Sequence, residues 1–99
     1  MSAPLWTEDA DSSTLTVGTV AVPITVYVER WPSHPDWWAV SVRVGAGAWP
    51  FPIHRSGHRG FGYASRERAK SVGLEALSLW LRAVAEGTSA AMGALSSGL

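Results

Sequence analysis

Cysteine is absent from the 99 residues, which excludes disulfides, thiolate metal sites and a cysteine nucleophile, and suits a reducing compartment. Net charge is absent as well, because eight basic side chains balance eight acidic ones. No global field therefore draws the chain toward nucleic acid or an anionic membrane. No apolar run approaches the ~18 residues of a membrane span. The opening MSAPLWTEDADSS has neither the basic region nor the apolar stretch of a secretory signal. The expectation is a soluble, cytoplasmic protein without a membrane partner. Lysine is nearly missing, with Arg supplying seven of the eight basic residues, a usage that suits a GC-rich bacterial genome.

What remains is enough for one core and not for two. Hydrophobic residues make up 46% of the chain, and six Trp supply much of their bulk. The expected organisation is an acidic, mobile arm over 1–13, a single α+β domain over 14–87 and a low-complexity, disordered tail over 88–99. The arm carries Glu8, Asp9 and Asp11 with no periodicity. The tail TSAAMGALSSGL is small, polar and weakly patterned.

The domain is organised around residues 65–86, the one segment with sustained helical spacing. Ser65 is a suitable N-cap, and Ala69, Val72, Gly73, Ala76, Trp80, Ala83 and Val84 gather on one face. Gly87 is the expected C-terminal stop. Ahead of it, Leu15 and Val17 begin an alternation that changes phase at Gly18-Thr19, which signals a turn or bulge. Strands are expected at about 14–17, 20–30 and 37–44. Matching their apolar faces pairs Val28 with Val40 and Val26 with Val42. WPSHPD over 31–36 is expected to be a loop. Residues 48–53 can form only an edge strand or polyproline II, because Pro50 and Pro52 lack donors. Phe61–Tyr63 is expected to pair with them. The fold class is α+β: an antiparallel meander of three to five strands with one long C-terminal helix packed across one face.

Two functional signals stand out. Leu74 and Leu81 lie at one flank of the helix and Leu79 at the other, so the apolar arc is wider than one packing surface needs. That width points to a non-catalytic interaction or assembly domain, a homodimer joined through Leu74, Leu79 and Leu81. The second signal is residues 54–70, with five basic residues against one acid, Glu67, and glycines close to a helix N-terminus. Guanidinium groups, flexible N–H donors and a helix dipole favour phosphate. On this alternative reading the chain is a nucleic-acid-binding module that uses His54, Arg55, His58, Arg59, Arg66 and Lys70. A tight hairpin with solvated arginines would explain the same residues. His54 and His58 are four apart, but Gly57 and the preceding prolines oppose helical geometry, so no metal site is assigned. No cofactor and no catalytic residue is expected; Asp36 is better explained as a turn cap.

Overall fold

A computed structural model describes residues 6–47, 51–56 and 62–98. Five strands, β1 (Thr7–Glu8), β2 (Ser12–Gly18), β3 (Pro23–Trp31), β4 (His34–Val44) and β5 (Phe51–Ser56), precede a single helix, α1 (Arg66–Gly98). The sheet is antiparallel with its strands in chain order. The alternation sets the register as expected, with Val28 opposite Val40 and Val26 opposite Val42. These four valines are fully buried, and each contributes about 1.5–3 kcal/mol by leaving water.

Local chemistry accounts for the turns. Gly18 adopts a left-handed φ of 89°, and a Cβ there would lie 2.5 Å from the Val22 carbonyl oxygen. The Thr19 N–H donates to that carbonyl while the Thr19 hydroxyl accepts from the Val22 N–H, closing the β2–β3 turn. Residues 31–36, expected as a loop, are instead two strand ends around Pro32-Ser33, with Trp31 paired to His34. The prolines are tolerated there because the pairing slips at Arg30/Trp31 and Pro35 uses only its carbonyl, which accepts from Arg30 Nη1 at 3.0 Å.

Helix α1 starts as the sequence indicates, with the Ser65 hydroxyl accepting from the Arg68 N–H at 3.1 Å. Ala69, Gly73 and Leu77 are buried against β3 and β4. Gly73 is the point of closest approach: a Cβ there would sit 2.6 Å from Val26 Cγ1 and 3.0 Å from Val40 Cγ2. The helix does not stop at Gly87. Left-handed backbone is confined, among the described glycines, to Gly18, Gly45 and Gly47, so Gly87 stays helical and the helix reaches Gly98. At about 1.5 Å per residue it is roughly 50 Å long, which sets the 56 Å long axis of a molecule 29 Å and 28 Å across.

Three further expectations change. Residues 88–98 are helical, not a disordered tail. Residues 6–13 are not a free arm, since β1 pairs with β2 and Asp11 is tied to β3, its carboxylate 3.1 Å from Arg30 Nε and its carbonyl accepting from the Arg30 N–H at 2.8 Å. Tyr63 pairs with Trp38 of β4 through N–H to carbonyl bonds of 2.8 and 2.9 Å in both directions, and not with β5. The adjacent Gly62 allows this, because a Cβ there would meet the Trp38 carbonyl oxygen at 3.0 Å.

Candidate functional site

The basic segment does not form one surface. His58 and Arg59 lie outside the described residues. Arg66 and Lys70, in the first turns of α1, face the N-terminal segment. Glu8 takes an ion pair from Arg66 Nη1 at 3.1 Å and another from Lys70 Nζ, and also accepts from the Ser13 hydroxyl. Arg66 Nη1 also donates to the Asp9 carbonyl at 2.9 Å. The two cations complete the arrangement over aromatic faces. Arg66 lies 4.4 Å from the Trp38 ring centroid, with Arg30 4.7 Å from the same ring, and Lys70 lies 4.9 Å from Trp6. Hydrogen bonds from Lys70, and then from Ser13, hold the Glu8 carboxyl well down, at about 2. These cations are therefore engaged within the chain, as a latch that ties β1 to the helix.

Arg55 sits on the other face of the sheet. Its cross-strand partner is Ser41, whose own partner on the next strand is Tyr27, so these three share the face away from α1. Arg43, two residues along β4, lies on the same face. His54 is opposite Val42 on the core side, and its Nε2 is buried without a hydrogen-bond partner among the described residues. Consecutive strand residues face opposite sides, and a bulge decides which: Arg43 pairs with Pro52 and Val42 with His54, leaving Ile53 as an extra residue, so Arg55 takes the helix-free face.

The helix-free face carries a depression of about 440 Å³ whose lining includes Tyr27, Glu29, Trp31, Ser41, Arg43 and Arg55. The Tyr27 hydroxyl donates to Glu29 Oε2 at 3.1 Å. Burial, and then this bond to Glu29, raise the Tyr27 pKa above its usual value. Neither Arg43 nor Arg55 makes an ion pair among the described residues.

The third feature is the far half of α1. From Leu81 to Gly98 every described residue is exposed. At about 100° per residue, Val84, Thr88, Ala91 and Leu95 continue the direction in which Ala69, Gly73 and Leu77 meet the sheet, and Leu81 and Met92 flank them. Leu74 borders the same line but is half-buried against the core. Leu79 points to the opposite side, where Arg82, Glu86 and Gly93 also lie, so it does not share a surface with Leu81. The sequence pattern put Val84 on the apolar face of the helix, but ending the helix at Gly87 left Met92 and Leu95 outside it.

Among the described residues no helix is long and apolar enough to cross a membrane. No family model matches the chain, and no curated protein or solved structure matches it.

Proposed function

We propose that the chain is a non-catalytic assembly module that forms a homodimer through the far half of α1. One observation carries this reading: an apolar line continuous with the core-facing side of the helix runs past the end of the sheet with no cover among the described residues. Residues 81–98 do not sustain a helix by themselves in water. They contain Gly87, Gly93 and Gly98, each costing about 1 kcal/mol relative to Ala in a helix interior. Thr88, Ser89, Ser96 and Ser97 add little, and an isolated helix of this length is marginal even with good helix formers. Helicity there calls for a partner surface.

A second copy fits that surface because the line complements itself. An antiparallel crossing on a two-fold axis at Thr88 sets Leu81 against Leu95 of the other copy and Val84 against Met92. The small residues Ala85 and Ala91 then meet each other, so the helices can approach closely. Arg82 and Glu86 stay outside on the polar side. Two helix segments of roughly 27 Å bury less than the ~800 Å² per partner of a standard interface. The association is therefore expected in the micromolar range.

Light scattering tests the reading. The wild type should rise from its 10.6 kDa monomer mass toward twice that value across micromolar concentrations, whereas a Leu81→Glu, Leu95→Glu variant should remain monomeric and folded. A wild type that stays monomeric into the millimolar range ends the proposal. Because the chain lacks Cys, orientation can be read by disulfide trapping. Mixed Leu81→Cys and Leu95→Cys chains should crosslink to each other faster than either does to itself.

A further inference from the structure

The depression on the helix-free face has chemistry that dimerisation does not use. Its cations sit at one side: Arg43 on β4 and Arg55 on β5 are diagonal neighbours across adjacent strands, a separation that long side chains can bridge. Both are free of ion pairs among the described residues, unlike Arg30, Arg66 and Lys70. Next to them the floor is low, because Ala39 and Ser41 are small. The ring of Tyr27 borders that floor on β3, opposite Ser41, and Trp31 rises at its far end, where β3 enters the Pro32-Ser33 turn. Glu29 stands between the two aromatics, opposite Ala39. Its Oε2 takes the Tyr27 hydroxyl, which leaves Oε1 to accept from a ligand.

A pair of guanidinium groups suits a dianionic phosphate. A flat floor between two aromatic rings suits a heteroaromatic base, and a carboxylate at its edge suits the N–H donors that bases present. The separation along β4 from Arg43 to Ala39 is about 13 Å at ~3.3 Å per residue. Once the arginine side chains reach inward, that span matches one nucleotide. The cavity also falls at the lower end of the ~300–1,000 Å³ typical of small-ligand sites. We propose that this face binds a nucleotide unit, with the phosphate on Arg43 and Arg55, the base over Ala39 and Ser41 between Tyr27 and Trp31, and Glu29 accepting from the base. The unit can be a free nucleotide or one residue of a single strand, since both present the same phosphate and ring.

The test is amide chemical-shift mapping on the full chain, titrated with AMP, GMP and UMP, with a short single-stranded oligonucleotide, and with inorganic phosphate and adenosine as partial probes. Shifts are expected at Tyr27, Glu29, Ser41, Arg43 and Arg55. Arg43→Ala and Arg55→Ala should each weaken nucleotide binding about tenfold or more, the usual effect of losing a charge-assisted hydrogen bond. Glu29→Gln should instead alter the ranking of the three bases. Neither phosphate nor adenosine alone should bind as tightly as the nucleotide. Saturation by mononucleotides assigns the site to a free nucleotide. Tighter binding of the oligonucleotide at the same residues assigns it to single strands, and either result supports the proposal. No shifts at millimolar nucleotide, equal affinity for phosphate alone, or shifts confined to 66–70 would overturn it. Repeating the titration on the Leu81→Glu, Leu95→Glu variant separates this claim from dimerisation, because the depression lies on the face opposite α1 and its affinity should not change.

Discussion

The near and far halves of α1 carry similar apolar side chains under different constraints. Over 66–80 the helix lies on β3 and β4, with Ala69, Gly73 and Leu77 buried and Leu74 and Trp80 packed against the core. Over 81–98 the same side of the helix bears Val84 at 41% exposure, Leu95 at 63% and Met92 at 64%. In the near half, shape is decisive, because Gly73 leaves no room for even one methyl group. In the far half no described residue limits size: apart from the adjacent helix backbone, nothing described lies within 4 Å of a Cβ added at Gly87, Gly93 or Gly98. A helix is thus held in one half by fit to its own sheet. In the other half, on the proposed reading, its stability depends on what it meets.

Truncating one leucine in each half should separate them most widely. Leu77→Ala removes a buried side chain and should cost about 3 kcal/mol, within the usual range for core leucines. Leu95→Ala should change the stability of the dilute protein by less than about 0.5 kcal/mol and show its effect only in the concentration dependence of mass. A large loss from Leu95→Ala at high dilution would mean that residues 81–98 are covered by their own chain.

Adding one methyl group should give opposite signs. Gly73→Ala pushes a Cβ into Val26 and Val40, stiff β-branched side chains in a packed core. The overpacking cost of about 1–3 kcal/mol exceeds the ~1 kcal/mol gained in helix propensity. Gly93→Ala, on the polar side, meets no such clash and should stabilise by up to about 1 kcal/mol in the concentrated, associated protein, with a smaller gain when dilute. Urea denaturation of both variants checks the pair, and stabilisation by Gly73→Ala would contradict the tight contact.

A smaller effect should distinguish the start of the near half through the Glu8 latch. The folded carboxyl titrates at about 2, against an ordinary 4.5, so the ionised form is the one the fold favours. Its contribution is fully present above about 4.5 and is lost as pH falls toward 2. The melting temperature should therefore fall over that window, and Glu8→Gln should flatten the fall. If the mutant follows the wild-type curve, the latch contributes nothing to stability.

The central sheet and the onset of the helix were legible because they depend on local pattern. Alternation in Ile24–Val28 and Trp38–Val44 specified the register, since a slip by one residue would turn every valine to solvent. Ser65 marked the cap. What escaped depended on contacts far apart in the chain or on a conformational choice with no local signature. Thr7 and Glu8 show no strand pattern, and their segment is held by Arg66 and Lys70, 58 and 62 residues from Glu8. Gly87 is compatible with both a stop and a continuation. That Arg55 rather than His54 takes the helix-free face follows from the single extra residue at Ile53, which no count of apolar positions reveals. Leu74, Leu81 and Leu79 were all placed by helical angle, at the two flanks of one wide apolar arc, but an angle alone does not say that flanks so far apart cannot meet one partner surface.

Amide hydrogen exchange at two protein concentrations, one well below and one well above the association midpoint, tests the central claim most directly. Protection over 66–80 should be the same at both, because that half is held by its own sheet. Protection over 81–98 should be slight in the dilute sample and rise strongly in the concentrated one, with the largest gain around Val84 to Leu95. Equal protection of 81–98 at both concentrations, whether high or absent, would contradict the account, since that half would then owe its state to the single chain alone.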